Sequence, residues 1–345
     1  MAEGNSANKR KQIHDIPVSI LDLAPIVKGG TAADSLHNTL DLAQHAENWG
    51  YNRFWLAEHH NMPGIASSAT SVVIGYVAGG TKKIRVGSGG IMLPNHAPLV
   101  IAEQFGTLES LYPGRIDLGL GRAPGSDQFT SYALRRGLGS DGHNFPEQLN
   151  ELRAYFNPEL DSRPMRVRAI PGEGLNIPIW LLGSSGFSAQ LAGQLGLPFA
   201  FASHFAPDYL LPALEIYRTN FRPSEVLDKP YVMVGVNAIA ADTEEEARRL
   251  ATSQEQQFLN LIRGRTGQLN PPVSSMDAIW NEHEKAVVRK QLSYSAIGNK
   301  DAVRDQLQHF IDITGADELI VAGTIYDHEA RLRSYEIVAE VFKGN

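Results

Sequence analysis

The 345-residue chain contains no cysteine. That excludes disulfides, thiolate-bound metals and cysteine nucleophiles, and leaves the redox compartment unmarked. No apolar run reaches transmembrane length, so no membrane span is expected. Basic charge is scarce as well: 31 Lys and Arg stand against 38 Asp and Glu, a formal net charge of −7. Nucleic acids and anionic membranes recruit basic surfaces, so neither is an expected partner. No G-x-G-x-x-G follows the first strand, which counts against a dinucleotide-binding open sheet. Lys9, Arg10 and Lys11 are not followed by the apolar stretch of a signal peptide. Residues 1–15 therefore read as a flexible N-terminal extension, and a cytoplasmic protein is expected.

What is present is an alternation of short β-rich apolar runs with longer helical patterns, the signature of parallel strands joined by crossover helices. Strand candidates fall at 18–21, 53–57, 84–88, 115–120, 177–182, 199–203, 231–240 and 318–322. With no composition break between halves, residues 16–345 are expected to form one α/β domain, a (β/α)8 TIM barrel. Leu36, Leu40, Ala43 and Ala46 recur at helical spacing and Gly50 stops that helix; a second helix ends likewise at Gly196. Two connections exceed ordinary barrel loops and are expected as insertions after strands four and seven. Segment 125–176 carries one helix marked by Leu149, Leu152, Tyr155 and Phe156, and segment 262–276 is a Gly- and Pro-rich loop over the barrel mouth.

Barrel active sites sit at the C-terminal strand ends. Here those ends bring Asp22, the pair His59-His60, Gly89-Gly90, Gly121-Arg122, the run Gly183-Ser184-Ser185-Gly186-Phe187-Ser188, and Ser203-His204. Histidine exchanges a proton near neutral pH without extreme tuning. Adjacent strand residues diverge, so only one of His59 and His60 can face a pocket in line with the strand's inner face. That divergence, with no cysteine and no third clustered ligand, leaves no metal site expected. A phosphate after strands seven or eight would meet Asp242, Glu244, Glu245 and Glu246, or Asp327 and Glu329. The free N–H groups opening the helix after strand five suit an anion better, with Arg122 on the neighbouring strand as its cation. Ser184, Ser185 and Ser188 would then be either ligands or mere helix caps.

Taken together, Ala57-Glu58-His59-His60, the run 87–94 (GSGGIMLP), Glu103-Gln104, Gly119-Leu120-Gly121-Arg122 and the run 192–198 (AGQLGLP) make the chain, from 18 to about 342, resemble the bacterial luciferase-like flavin monooxygenases. The resemblance implies a barrel that takes reduced FMN as a diffusible co-substrate from a separate flavin reductase and uses it with dioxygen on a small organic substrate. It implies that His59 is catalytic at the flavin and that Arg122 and Ser185 hold the phosphate, among cofactor-binding residues Gly89, Gly90, Gly121, Gly183, Ser184 and Ser188. Asp22, His60 and His204 are the candidates for the substrate pocket. A cis peptide between Gly89 and Gly90 is implied too, as is a homodimer through the helices after strands two and three, for which the face formed by Ala66, Ala69, Thr70, Val73, Ile74 and Val77 is the candidate surface. Gly121 stands where the luciferase α chain has a reactive cysteine, and Ser184 where it has an acid, which speaks against light emission and a long-chain aldehyde. A deazaflavin-dependent oxidoreductase of the same fold, or a flavin-binding protein without turnover, are the alternatives.

Overall fold

The apolar runs become strands β1 (Val18–Asp22), β2 (Arg53–Leu56), β3 (Arg85–Met92), β4 (Ile116–Gly121), β5 (Ile179–Gly183), β6 (Phe199–Phe201), β7 (Val232–Ala240), β8 (Ser295–Gly298) and β9 (Glu318–Ala322) in a computed structural model that describes residues 10–123, 127–135, 142–160 and 166–343. Every residue of β1, β4, β7 and β9 is buried, as parallel strands covered on both faces require. β1 to β7 neighbour one another in order, β9 pairs with β7, and β9 returns to β1, all in parallel; the result is a closed eight-stranded (β/α)8 barrel.

β8 is the strand that hydrophobic patterning does not reveal. β7 is long enough to serve two neighbours along one edge: Val232 to Val234 pair with β6, while Asn237 to Ala240 pair with β8. The four residues Ser-Ala-Ile-Gly are too short and too mixed to announce a strand.

The helices are α1 (Ala32–Trp49), α2 (Thr70–Gly80), α3 (Pro98–Leu111), α4 (Gln128–Arg135), α5 (Phe145–Phe156), α6 (Gly186–Leu195), α7 (Leu210–Asn220), α8 (Glu244–Ile262), α9 (Glu282–Gln291), α10 (Lys300–Thr314) and α11 (His328–Lys343). Both expected stops hold: Gly50 and Gly196 take left-handed φ of 84° and 62° at the ends of α1 and α6. Segment 125–176 carries α4 as well as the expected α5, and residues 124–126, 136–141 and 161–165 lie outside the described residues. Two expectations need correcting. Of the expected extension, residues 1–9 lie outside the described residues, and 10–15 are held to the barrel: Ile13 is buried and Lys11 donates to Gly315 O, Ala316 O and Asp317. The small-residue face of α2 (Thr70, Val73, Ile74, Val77) is buried within the chain, because a crossover helix must spend its apolar stripe on its own sheet.

A ring of charge closes the barrel's N-terminal end. Arg53 bridges Asp117 at 2.7 Å and Glu318 at 3.0 Å, Arg85 pairs with Asp117, and Tyr231 and Ser19 donate to Glu318. Above it, Leu21, Trp55, Ala57, Trp180, Ala200, Met233, Ile320 and Ala322 plug the barrel interior. This apolar plug is the floor on which the site is built.

Candidate active site

A cavity of about 440 Å³ opens at the C-terminal ends of the strands, over Leu21, Trp55, Ala57, Ala200, Ile320 and Ala322. His59, Gly89, Gly90, Gly121, Arg122, Gly183, Ser184, Ser185, Ser188 and His204 all line it, so ten of the expected site residues converge. Asp22 and His60 do not. Asp22 is consumed by a buried ion pair with Arg331 of α11 at 2.7 Å, with Thr39 and the Ala24 N–H on its remaining positions. His60, in the loop after β2, does not line the cavity that His59 lines, and donates to Glu58 at 2.8 Å beside a separate, smaller pocket.

Glu58 organises the loops behind the site. It is 1% exposed and accepts from His60 Nε2, from His96 Nε2 at 2.9 Å and from the Met92 N–H at 2.9 Å. Burial pushes its pKa up, but the hydrogen bonds from His60 and His96, the charge of His96 and the Met92 N–H outweigh it and bring it down to about 2. An ionised carboxylate only accepts, so His60 and His96 each present Nε2–H to it. Ligand atoms of Glu58, His60 and His96 lie within 4.8 Å of one another, close enough for a cation, a grouping that adjacency in sequence does not reveal because His96 arrives from beyond β3.

His59 itself makes no hydrogen bond among the described residues. Burial lowers its pKa below 6.5 against the opposing pull of Glu58, with His60 adding to the lowering. It therefore presents a neutral imidazole to the cavity at neutral pH, able to accept a proton. His204 is driven further, to about 4, by burial and then by the charge of His59. Its ring lies against Gly235, where an added Cβ would meet Nδ1 at 2.4 Å, and that Nδ1 has no hydrogen-bond partner among the described residues.

The Gly89–Gly90 bond is cis, at the point where the β3–β4 register shifts. A Cβ on Gly90 would meet the backbone oxygen of Gly119 at 2.8 Å, and one on Gly89 would meet the end of the Leu21 side chain at 2.6 Å, which would have to shift. The result is a strip of bare backbone along the cavity wall. Across from β3 in the sheet order, α6 opens the next wall segment. Ser185 is its N-cap residue, with an extended φ of −151°, yet its side chain makes no capping bond, so its hydroxyl is not explained as a cap. Arg122 stacks on Phe187 of the same helix at 4.4 Å and has no carboxylate partner among the described residues. A guanidinium without a carboxylate partner among the described residues, free helix N–H groups and an uncommitted hydroxyl are groups that can hold an anion.

The remaining wall was not legible from motifs. Asn237 of β7, Gln254, Gln257 and Asn260 of α8, Arg265, Gln268 and Asn270 of the following loop, and Gln291 of α9 also line the cavity. Asn237 was the one available signal, an amide within the apolar run of β7. Residues 265–270 do cover the mouth: Leu269 is buried and exchanges backbone hydrogen bonds with Ile26 and Lys28 after β1.

These features define a (β/α)8 barrel whose C-terminal end opens into an apolar-floored cavity lined by Arg122, Ser185 and His59. The sequence pattern described as luciferase-like monooxygenase matches residues 17–333. The chain is 62% identical to the Bacillus subtilis (strain 168) protein YvbT, over 98% of this chain and 99% of that one. It is 58% identical to a luciferase-like monooxygenase of Escherichia coli (strain K12), over 94% and 97%. It is 33% identical to the N-acetyl-S-alkylcysteine monooxygenase of B. subtilis, over 94% and 98%. Among solved structures, apo-MsnO8 superposes with a TM-score of 0.84 at 34% identity, covering 95% of this chain and 98% of that one. The fold alone is shared with the FMN complex of the oxygenating constituent of 3,6-diketocamphane monooxygenase of Pseudomonas putida (TM-score 0.71, 19% identity, 95% and 98% covered) and with an F420-dependent secondary alcohol dehydrogenase (0.67, 12%, 95% and 99%). The chain belongs to the luciferase-like monooxygenase family.

Proposed function

We propose that the protein is a flavin-dependent monooxygenase that receives reduced FMN from a separate reductase in the cytoplasm and uses it with dioxygen to oxidise a small organic substrate. The observation that carries this reading is that Arg122, without a carboxylate partner among the described residues, and the Ser185 hydroxyl, which makes no capping bond, line the cavity with the N-terminus of α6. Reduced FMN, when bound, supplies the electrons that activate dioxygen.

The residues fit that group. Arg122 and the Ser185 hydroxyl hold the phosphate, with Ser184, Ser188, Gly121 and Gly183 around it. Gly89 and Gly90 leave flat backbone where any Cβ would crowd the wall, which suits close approach of a planar ring. His59, kept neutral by burial, accepts or returns a proton at the reacting end of the cavity. The apolar floor and the covering loop exclude water from the reaction. Named relatives that are monooxygenases, and a structural neighbour that binds FMN, support the same assignment. We further propose a homodimer through the outward side of α2 and α3, where Val72 is 70% and Leu111 63% exposed.

Titration with FMN and with the deazaflavin F420, followed by flavin fluorescence, tests the cofactor; oxygen uptake with photoreduced FMN tests turnover. FMN binding and substrate-dependent oxygen uptake that His59→Gln abolishes are expected. Binding of F420 alone makes this a deazaflavin enzyme, and FMN binding with unchanged His59→Gln turnover removes His59 from its role.

A further inference from the structure

We infer that the wall formed by β7, α8 and the covering loop selects a small organic carboxylate that also carries an N–H or O–H donor, Arg265 taking the carboxylate and Gln254 the donor. The inference rests on the flavin reading above, which leaves this wall for the substrate.

The orientation of two buried amides is locked by a backbone group. Asn237 Nδ2 donates to the carbonyl of His204, and a carbonyl can only accept. Asn237 must therefore turn its Oδ1 the other way, where it accepts from Gln254 Nε2 at 2.7 Å. That fixes Gln254 Nε2, which keeps one further N–H, towards Asn237 and turns Oε1 away from it, and this oxygen is buried without a hydrogen-bond partner among the described residues. Gln254 is 1% and Asn237 3% exposed, both line the cavity, and neither amide can flip without breaking the chain of bonds. A buried acceptor left unpaired is costly unless a ligand supplies its donor.

The same wall is neutral apart from one cation. Gln257, Asn260, Gln268, Asn270 and Gln291 contribute amides and no acid. Among the described residues, the one carboxylate around the cavity, Glu58, is committed to His60 and His96. Arg265 has no carboxylate partner among the described residues, whereas Arg263, two positions earlier, is held at 2.8 Å by both oxygens of Glu284. The loop that presents Arg265 is anchored, since Leu269 bridges to Val27 and is 2% exposed. An exposed guanidinium without a carboxylate partner among the described residues, carried on an anchored loop that lines the same cavity as the buried acceptor, is complementary to an anion that also brings a donor, with its apolar remainder on the floor near Trp55 and Ile320.

Binding of N-acetylleucine, its methyl ester and its N-methylated analogue to the full-length protein, read by saturation-transfer NMR and calorimetry with FMN present, tests this. The acid is expected to bind roughly tenfold tighter than the ester. Arg265→Gln should erase that preference, while Gln254→Met should erase the preference for the N–H compound over its N-methylated form. FMN affinity, measured in the same samples, reports folding and the flavin seat separately. Equal binding of acid and ester, no binding of any probe, or a preference that survives Arg265→Gln overturns the inference while leaving the flavin reading intact. Loss of FMN but not riboflavin affinity in Arg265→Gln also overturns it, by assigning Arg265 to the flavin phosphate. Failure of the wild type to bind FMN removes the flavin reading instead.

Discussion

Replacing Glu58 by glutamine isolates the carboxylate that ties the end of β2 to the loop after β3. Its pKa falls from the ordinary 4.5 to about 2 in the folded chain. A displacement of that size corresponds to roughly 3 kcal/mol of stability at neutral pH, at about 1.4 kcal/mol per pKa unit. Because the folded value is depressed, the contribution is complete above the unfolded pKa and drains away as pH falls from there toward 2; about half is gone near pH 3. The amide introduced by Glu58→Gln would keep one acceptor but aim a donor at His60 or His96, both of which now donate. Urea unfolding of wild type and variant at pH 7, 5 and 3.5, followed by far-UV circular dichroism, measures the difference. It should be about 3 kcal/mol at pH 7 and shrink at the lowest pH. A difference below about 1 kcal/mol at pH 7, or one that does not change with pH, would refute the assignment of His60 and His96 as charge-stabilising donors.

Three further outcomes are expected. Arg122→Ala should weaken FMN binding by at least about tenfold and leave riboflavin nearly unaffected, because a charge-assisted bond to phosphate is typically worth about 1.5–3 kcal/mol and only FMN carries one; fluorescence titration of both ligands decides it. His204, held at about 4 in the folded chain against 6.5 in the unfolded, makes a stability contribution that is complete above pH 6.5 and is lost as pH falls toward 4. His204→Asn should flatten that part of the thermal-melt profile, and an unchanged slope between those values would mean that His204 is not buried neutral. Val72→Asp with Tyr76→Asp, both on the exposed side of α2, should yield a monomer by sedimentation velocity with the melting temperature of the monomer unit preserved, whereas a dimer that persists moves the interface elsewhere.

The barrel was legible because its strands are buried on both faces, so the eight main runs stand out as apolar stretches between glycine stops. The residues proposed to meet the flavin were legible in two ways: Arg122 and Ser185 stand at strand ends, where chain geometry brings them to one mouth, and Gly89 and Gly90 were marked by the family resemblance. Asp22 and His60 show the limit of that logic. Asp22 ends β1 and His60 follows β2, yet what claims each one, Arg331 from over 300 residues away and a Glu58 carboxylate shared with His96 from beyond β3, is visible only once the chain is folded. The amide wall failed to show for a different reason. Gln254, Gln257 and Asn260 occupy one stretch of a long helix that otherwise has the pattern of a solvated surface, and nothing local says that this turn faces inward.

The forked edge of β7 has a consequence for how such an enzyme can be altered. Its lower half completes the closed cylinder with β6, while its upper half has exchanged that neighbour for β8, and Asn237 stands where the pairing changes hands. The elements that would grip the flavin, β3 to β5 and α6, lie on the uninterrupted part of the wall. Those that would meet the substrate hang from the side where the staves have parted. On the proposed reading, cofactor and substrate would be held mainly by separate stretches of chain, 85–195 and 232–291, with His59 and the floor between them. Exchanging the second stretch among relatives should therefore retarget the chemistry without rebuilding the cofactor's seat, which makes β7 the seam along which this scaffold can be recut.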